Sequence, residues 1–345
     1  MSSTQTAAAG QLQEALNQDD LAPETRLKLY RLMYECRSLE KRAYDLFMQN
    51  LIKGTSHLAL GQEAVAAGFG GAMRKDDYTY CTYRGHNHTY VRGVEMSEVL
   101  GELMGTTAGL MRGKGGSMHL TSVEHGAMGS YAIIGAHLCI ANGSGWSAKY
   151  RGTEQVSVCF FGDGTTNIGA FHEALNFAAI WKLPVVFVCE NNLYMEYTPI
   201  GDVTAVEHPA ADRASAYDLE KIIIDGNDVD EVYKTAQRAF ARARRGDGPS
   251  LIEAKTYRHG GHSRADPGKY RPDEEVQEWL KKDPIPMYRA RMLANGISEA
   301  EIVKIEDDVK EMTDKATEIA KSAPPPDASL ANQDVWADGG VAWRN

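Results

Sequence analysis

Two largely apolar runs of the chain each end in a short polar turn. Positions 156–161 lead into Gly162-Asp163-Gly164, and positions 185–189 lead through one glutamate into Asn191-Asn192. Short apolar runs bounded by turn residues are typical of strands that are buried on both faces. The residues between the two runs follow a helical pattern of about four turns. We therefore predict that both turns lie side by side at the carboxyl edge of a parallel sheet, where open α/β sheets bind ligands.

The rest of the chain alternates between helical and strand patterns. Periodicity and composition predict helices at 23–50, 61–73, 96–110, 229–243, 273–282 and 287–295, and a capping box at 298–301 opens a last helix to about position 321. Further strands are predicted at 221–224 and 251–257. This alternation predicts an α/β fold with a doubly wound, mostly parallel sheet and helices on both faces.

The same pattern predicts one domain between two tails. Residues 23–322 contain no internal repeat and no linker, so we expect them to form a single domain. Residues 1–22 are polar and rich in alanine and are predicted to be a mobile N-terminal tail. Three consecutive prolines stop the last helix, which leaves residues 323–345 as a C-terminal tail.

The chemistry of the paired turns suits a metal-bound diphosphate. Asp163 and Asn192 offer oxygens of the kind that Mg²⁺ prefers, and a backbone carbonyl near Tyr194 offers a third. Gly162 and Gly164 carry no side chain that would block an anion, and a helix predicted to start near Asn167 points its free N–H groups toward it. A nicotinamide dinucleotide site is excluded, because its fingerprint requires glycine at position 167. The simpler alternative, two polar turns without a ligand, is disfavoured by their paired spacing.

Composition narrows the class of protein further. The net charge of −10 argues against a nucleic-acid partner, and no stretch approaches the roughly 20 apolar residues that span a membrane. The N-terminus has neither the apolar core of a secretory signal nor the arginines of a transit peptide, so we expect a cytoplasmic protein. Five cysteines without paired metal spacing fit a reducing compartment, and Cys159 and Cys189 are predicted to be buried in strands.

Several blocks resemble one known family. Gly162-Asp163-Gly164 with Asn191-Asn192 looks like the thiamine diphosphate motif. The chain from about residue 25 to about 320 resembles the α subunit of the decarboxylase component of 2-oxo acid dehydrogenases, a family that includes pyruvate, branched-chain 2-oxo acid and acetoin dehydrogenases. The other blocks that carry the resemblance are Gly61-Gln62-Glu63-Ala64, Tyr83-Arg84, Gly113-Lys114-Gly115-Gly116-Ser117-Met118-His119, Trp181-Lys182-Leu183-Pro184 and His262-Ser263-Arg264-Ala265-Asp266-Pro267.

The resemblance implies a thiamine diphosphate-binding fold, Mg²⁺ and thiamine diphosphate as cofactors, and a role for individual residues. It implies that Asp163, Asn192 and the carbonyl of Tyr194 bind the metal. His262 and His57 are implied to be catalytic, with His262 near the reacting carbon. The implied cofactor-binding residues are Tyr83, Arg84, Ala132, Ile134, Gly162, Asp163, Gly164, Thr165, Asn192, Tyr194, Arg258 and His262.

The resemblance also implies the reaction and the partners. We expect oxidative decarboxylation of a 2-oxo acid, with pyruvate favoured by the residues from His262 to Gly268, and acyl transfer to the lipoyl domain of a dihydrolipoyl acyltransferase. The family's cofactor-activating glutamate belongs to a β subunit and is not Glu63, so we expect activity only in an α₂β₂ heterotetramer. The alternatives are the α subunit of an acetoin-type dehydrogenase, which releases no carbon dioxide, and a non-catalytic regulatory subunit of the same fold.

Two segments depart from the family pattern. Ala132 replaces a family glycine, and the sequence from Gly135 to Trp146 replaces a Gly-Ala-Gln-Val-Pro-Leu block and the helix that follows it. Positions 142–145 (Asn-Gly-Ser-Gly) are poor helix formers, so we expect this helix to be weakened or lost. Positions 193–197 also differ from the family's Gly- or Arg-containing versions. Because both changes lie near the substrate end of the site, they favour a change in substrate preference.

Overall fold

The computed structural model of the protein describes residues 21–333 and 335–336. The predicted mobile tail at residues 1–22 lies outside the described residues apart from its last two. The described start of the C-terminal tail is attached to the body, since the N–H of Thr107 donates to the carbonyl of Pro324 at 2.9 Å and Ala328–Asn332 forms a short 3₁₀ helix. The division into one domain and two tails stays a prediction. In the described part of the chain, no helix is long and apolar enough to cross a membrane.

Six strands of the described residues form one parallel sheet in the order β2-β1-β3-β4-β8-β7. A short antiparallel hairpin, β5 with β6, lies outside it. The strands are β1 Tyr78–Thr82, β2 Ala127–Tyr131, β3 Ser157–Gly162, β4 Val185–Asn191, β5 Tyr194–Met195, β6 Thr198–Pro199, β7 Ile222–Asp225 and β8 Ser250–Lys255. The parallel sheet confirms the predicted fold class. Strands β1 and β2 were not predicted, because their aromatic and polar residues do not form an apolar run.

Most helices follow the predicted positions, with differences at their ends, but the short helix at His86–Tyr90 was not predicted and the one at Ala136–Arg151 was expected to be weakened or lost. They are α1 Pro23–Met48, α2 Glu63–Ala72, α3 His86–Tyr90, α4 Met96–Met104, α5 Ala136–Arg151, α6 Gly169–Ile180, α7 Val229–Arg244, α8 Asp273–Leu280, α9 Pro284–Ala294 and α10 Glu299–Ser322. The capping box of α10 is confirmed. Helix α4 ends six residues before the predicted position 110, because Gly105 adopts a left-handed conformation with φ of 69°.

The expectation that positions 142–145 weaken a helix was wrong. Helix α5 runs through them without interruption. The Asn142 amide donates to the Ala174 carbonyl of α6 at 2.7 Å, and Tyr80 and Ser144 are joined by a hydrogen bond. Gly145 lies against β4, where an added Cβ would be only 2.6 Å from Val185 Cγ2. Packing on α6 and the sheet therefore overrides the low helix propensity of these residues.

Helices cover both faces of the sheet, as predicted. One core contains apolar residues of α2 and α7 packed against the sheet, and the opposite core contains residues of α5 and α6. Cys159 and Cys189 are fully buried in the second core, which confirms their predicted place in strands. A further layer of α1, α4 and α10 packs outside α2. The sheet's carboxyl edge thus sits on a rigid scaffold that fixes the loops leaving it.

Candidate active site

The two predicted turns meet at the carboxyl ends of neighbouring strands. Strands β3 and β4 are paired in parallel up to Gly162 and Glu190, so Asp163 and the Asn191-Asn192 pair leave the sheet beside each other. This confirms the arrangement expected from the spacing of the motif. After Asp163 the chain forms a 3₁₀ turn over Asp163–Asn167, and α6 begins at Gly169 rather than near Asn167. The first free N–H groups after the strand therefore belong to the 3₁₀ turn.

Asp163 is buried, and one of its carboxylate oxygens has no hydrogen-bond partner. Its Oδ1 accepts a hydrogen bond from the N–H of Gly164 at 2.7 Å, whereas Oδ2 is buried and has no hydrogen-bond partner. Burial raises the pKa of Asp163 to about 6, against the lowering effects of the Gly164 N–H, Arg258 and the Asn192 N–H. A buried oxygen without a partner is costly unless something else binds it. The Oδ2 atom of Asp163 is therefore available to bind a cation.

Asn192 is oriented by a residue from another part of the chain. Its Nδ2 donates to Oε1 of Gln62 at 3.2 Å, and its Oδ1 faces the N–H of Tyr194 at 3.4 Å. Because the amino group of Asn192 donates to Gln62, its amide oxygen is the atom that faces the turn. Leu193 and Glu196 adopt left-handed backbone angles, with φ of 72° and 57°. These are positions where glycine is easier to accommodate, so the departures from the family pattern add strain to this turn.

Tyr194 is held by aromatic and acidic neighbours. Its hydroxyl donates to Glu275 Oε2 at 3.2 Å, and its ring lies 5.7 Å from that of Tyr270. Gly164 lies against the same hairpin, since a Cβ there would be 2.3 Å from Cγ of Met195. By contrast, a Cβ on Gly162 would meet nothing within 4 Å. Gly164 thus allows β5 to approach the Asp163 turn, and Gly162 borders open space.

Two buried arginines face this edge without a carboxylate partner among the described residues. The guanidinium of Arg84 donates to the carbonyls of Leu58 at 2.6 Å and His262 at 2.8 Å. Arg258 donates to the carbonyl of Glu196 at 3.1 Å and to the hydroxyl of Tyr270 at 2.9 Å, and its Nε has no partner. Burial, followed by the charge of Arg258, lowers the pKa of Arg84 to about 10. The charge of Arg258 acts on Asp163 and Asp266, but neither arginine forms an ion pair among the described residues, so this edge can attract an anion.

His57, Tyr83 and His262 form one ring cluster. The His57 ring centroid lies 4.2 Å from Tyr83 and 4.9 Å from His262. Nδ1 of each histidine is buried without a hydrogen-bond partner. Burial, followed by Arg84, lowers the pKa of His57 to about 3 and that of His262 to about 4. Both rings are therefore neutral near pH 7 and have a free nitrogen to accept or donate a proton.

The loop that carries His262 is organised by one carboxylate. Asp266 accepts hydrogen bonds from the N–H of His262 at 2.6 Å, the N–H of Gly268 at 2.9 Å and the hydroxyl of Tyr270 at 2.9 Å. Gly261 packs against it, since a Cβ there would be 2.2 Å from the Asp266 carbonyl oxygen. The loop therefore holds His262 next to His57 through its own short-range contacts.

Three remaining predicted residues lie in turns that follow strands of the sheet. Thr165 is buried in the 3₁₀ turn after Asp163. Ala132 and Ile134 are half-buried in the loop that follows β2, at the same carboxyl edge of the sheet. Gly135, the next residue, lies against Ile168 and Ala170 at the start of α6. The structure thus places all the predicted residues at one edge of the sheet, although their individual roles stay predictions.

A match to a protein family covers most of the chain. The sequence profile of the family described as "Dehydrogenase E1 component" matches residues 30–329. The chain belongs to the dehydrogenase E1 component family. Enzymes of this family depend on thiamine diphosphate, typically with a divalent metal ion such as Mg²⁺, which confirms the predicted cofactors.

Individual relatives agree with this assignment. The chain is 41% identical over 321 residues to the alpha subunit of acetoin:2,6-dichlorophenolindophenol oxidoreductase from Bacillus subtilis, covering 92% of this chain and 95% of the relative. It is 40% identical over 306 residues to the pyruvate dehydrogenase E1 component subunit alpha of Zymomonas mobilis, covering 88% and 86%. The corresponding subunit of Rhizobium meliloti is 37% identical over 330 residues, covering 95% and 93%. The chain is therefore an E1 α subunit, which implies a β subunit as its partner.

The residues of this E1 α subunit fit a magnesium-bound diphosphate. No cluster of three or more His, Cys, Asp or Glu side chains in the described residues could hold a metal, and the predicted set contains only one carboxylate. One carboxylate, one amide oxygen and one carbonyl leave coordination positions for phosphate oxygens and water, which is how Mg²⁺ is usually bound. The unpaired Oδ2 of Asp163 is the observation that supports this fit.

Residues that support the site were harder to find from the sequence. Gln62 and Asp266 belong to blocks that carry the resemblance, but nothing in those blocks shows that they contact Asn192 and His262. Glu275 lies in a helix far along the chain and accepts hydrogen bonds from Tyr194 and Tyr257. Glu63 is fully buried and binds Arg37 and the N–H of Gly61, so it has a structural role in this chain.

Proposed function

We propose that this E1 α subunit binds the diphosphate end of thiamine diphosphate through Mg²⁺ at Asp163, Asn192 and the carbonyl of Tyr194. Together with a β subunit it carries out oxidative decarboxylation of pyruvate and transfers the acyl group to the lipoyl domain of a dihydrolipoyl acyltransferase. The observation that carries the proposal is the buried, unpaired Oδ2 of Asp163, on which the charge of the buried Arg258 acts, together with the second buried arginine, Arg84. A cation and an anion bound together would satisfy all three groups.

The two arginines bind and orient the phosphates in this proposal. The fixed planar guanidinium of Arg84 is held by two carbonyls, so its position is set before the ligand arrives. Arg258 keeps Nε free, and Gly162 borders open space at the same edge of the sheet. Tyr83, Gly164 and Thr165 are other residues that we assign to cofactor binding. Charge-assisted hydrogen bonds from such preorganised donors are stronger than those between neutral groups.

The two histidines act at the reacting end of the site in this proposal. Thiamine diphosphate supplies the carbon nucleophile of the reaction when it is bound. His262 and His57, neutral at pH 7, can donate a hydrogen bond to an oxygen that becomes negatively charged, or move a proton. Their contact with Tyr83 fixes both rings on one side of the site. Ala132 and Ile134, which the loop after β2 carries, are proposed to contact the cofactor there.

The metal assignment can be tested on the reconstituted α and β subunits. Asp163→Asn keeps the shape of the side chain and removes its charge. We expect Mg²⁺-dependent thiamine diphosphate binding, measured by calorimetry, to weaken by more than roughly 100-fold, since even outer-shell partners of metal sites contribute roughly 10- to 100-fold. Asp202→Asn, at an exposed aspartate, is the control and should bind as the wild type does. Unchanged binding by Asp163→Asn would show that the metal lies elsewhere.

Acetoin is the second candidate substrate, because one relative with 41% identity is named for acetoin. The two substrates are distinguished by offering pyruvate, 3-methyl-2-oxobutanoate and acetoin separately to the reconstituted enzyme with a dye acceptor. We expect pyruvate to give the highest kcat/KM. Dye reduction with acetoin alone would overturn the pyruvate assignment and leave the cofactor site intact.

A further inference from the structure

A closed ring of buried hydrogen bonds surrounds the segment that carries His57. Glu40 of α1 accepts the N–H of Ala59 on Oε1 at 3.0 Å, and its Oε2 lies 2.9 Å from Nδ1 of His86. Nε2 of His86 lies 2.8 Å from Oγ of Ser117, which donates to Oγ of Ser56 at 2.8 Å. The ring therefore starts at Ala59 and returns to the same short segment at Ser56. We call these connected residues the clamp.

The clamp is not a hydrolytic triad, although Glu40, His86 and Ser117 are the residue types of one. Glu40 and His86 are fully buried, and Ser117 is 6% exposed. The Ser117 hydroxyl points at Ser56 instead of open space, so no substrate carbonyl can reach it. The polar groups are all satisfied by one another, which makes the arrangement rigid.

Ser117 is itself placed by an internal anion. The carboxylate of Glu102, on α4, accepts the N–H groups of Met111 and Gly113 on Oε2 and of Gly115 and Gly116 on Oε1, at distances of 2.7–3.1 Å. Glu102 is fully buried. This glycine-rich loop thus binds the protein's own carboxylate in the way that such loops bind phosphate elsewhere. The consequence is a fixed position for the residue that follows, Ser117.

The clamped segment contains two groups of the proposed active site. Between Ser56 and Ala59 lie His57, whose ring contacts Tyr83 and His262, and Leu58, whose carbonyl accepts a hydrogen bond from Arg84 at 2.6 Å. Both ends of the segment are held by the clamp and its middle faces the site. We propose that Glu40, His86 and Ser117 are positioning residues, which set the place of the His57 ring relative to the reacting atoms.

This inference rests on the proposed function and is tested on the reconstituted α and β subunits. Ser117→Ala and Ser56→Ala remove the same hydrogen bond from opposite ends, so a folding defect in one variant leaves the other available. We expect each to lower kcat for pyruvate roughly tenfold and to change KM less than about twofold, because small misplacement of a catalytic group mainly affects the transition state. Ser157→Ala is the matched control, since it removes an equally buried hydroxyl that has no partner.

A His57→Ala background separates positioning from a general structural effect. If the clamp acts through His57, Ser117→Ala should change kcat less than about twofold once His57 is absent, because the two effects are not additive. An equal loss in both backgrounds, or no loss in either, would overturn the inference.

A second readout does not depend on catalysis. Amide hydrogen exchange at positions 56–59, measured on the assembly before cofactor is added, should be faster in Ser117→Ala and unchanged in Ser157→Ala. Exchange that stays unchanged in Ser117→Ala would contradict the clamp. If the wild-type assembly neither binds thiamine diphosphate nor reduces dye, the proposed function fails, while the exchange result still decides whether the clamp exists.

Discussion

At the scale of single residues, the site is defined by polar groups that the fold buries and leaves partly unpaired. Asp163 has one carboxylate oxygen without a hydrogen-bond partner, and neither Arg84 nor Arg258, both buried, forms an ion pair with a carboxylate among the described residues. Such groups are unfavourable in an empty protein and become favourable when a ligand of opposite charge is bound. The residues proposed to bind metal and phosphate are thus among those whose burial is unfavourable in the free protein.

The contact between Gly164 and Met195 leads to a prediction about metal affinity. Gly164→Ala would place a Cβ 2.3 Å from Met195 Cγ and push the β5–β6 hairpin, with the Tyr194 carbonyl, away from Asp163. We expect Mg²⁺-dependent cofactor binding to weaken at least about tenfold by calorimetry. Adding Met195→Ala removes the contacts with Cγ and Sδ and leaves only the 3.0 Å approach of the Met195 Cβ, so it should restore part of the affinity. Failure of the double variant to recover would mean that Gly164 acts through another contact.

The buried histidines predict a loss of stability in mild acid. His57 and His262 have folded-state pKa values of about 3 and about 4, against about 6.5 in an unfolded chain. Below pH 6.5 the unfolded state therefore binds protons that the folded state does not, and stability is lost as pH falls toward 4. The slope contributed by each ring approaches about 1.4 kcal/mol per pH unit.

His57→Gln should make this pH dependence shallower. The measurement is the free energy of unfolding in urea at several values between about pH 7.5 and pH 5. His119→Gln, on an exposed ring, is the control. Parallel pH profiles for the wild type and His57→Gln would show that this ring does not stay neutral in the folded protein.

At the scale of elements, helix α5 shows how tertiary contacts decide local structure. Its central Asn-Gly-Ser-Gly sequence disfavours a helix, yet the helix continues through it because Asn142 and Gly145 have specific places against α6 and β4. Glycine at 145 is required by the close approach to Val185, whereas glycine at 143 is not required by any neighbour. Packing therefore explains the glycine at 145 and does not explain the one at 143.

This difference gives a paired prediction for stability. Gly143→Ala adds a Cβ that meets nothing within 4 Å and should raise the free energy of unfolding by about 0.5–1 kcal/mol, because alanine favours the helix. Gly145→Ala places its Cβ 2.6 Å from Val185 and should lower it by about 1–3 kcal/mol. Urea unfolding measures both variants. Equal effects of the two substitutions would contradict the packing assigned to α5.

At the scale of the whole molecule, one arginine connects helices that are far apart in sequence. Arg37 of α1 binds Glu63 at the start of α2, with N–O distances of 2.5 and 2.9 Å, and Asp283 at the start of α9, with distances of 2.9 and 3.0 Å. Burial raises the pKa of Asp283, but the hydrogen bonds and charge of Arg37 outweigh it and hold that pKa below its usual value. Because Glu63 also binds the N–H of Gly61, this connection stabilises the segment that leads to Gln62, the partner of Asn192.

Arg37→Leu should therefore destabilise the entire subunit. It leaves the fully buried carboxylate of Glu63 and the partly buried carboxylate of Asp283 without their arginine, and we expect the free energy of unfolding to fall by about 3–5 kcal/mol. Arg245→Leu removes an exposed pair with Asp247, in which both side chains are about half exposed, and should cost less than about 1 kcal/mol. A loss of less than about 1 kcal/mol for Arg37→Leu would show that the buried connection contributes little.

The sequence by itself was sufficient for the parts of the protein that depend on local pattern. The apolar runs before Asp163 and Asn191 predicted two parallel strands whose ends meet, and the β3–β4 pairing confirms it. The capping box at Ser298 predicted the start of α10 in the same way. These predictions succeed because strand ends and helix starts are encoded by residues a few positions apart.

Only the tertiary structure decided the contacts between distant parts of the chain. It brought Gln62 to Asn192, joined Glu40 to Ser117 through His86, and allowed α5 to continue through Gly143 and its neighbours. It also placed β1 and β2 in the sheet despite their polar and aromatic residues. The physical reason is that burial and hydrogen-bond partners depend on which parts of the chain pack together. A local pattern of residues does not determine that packing.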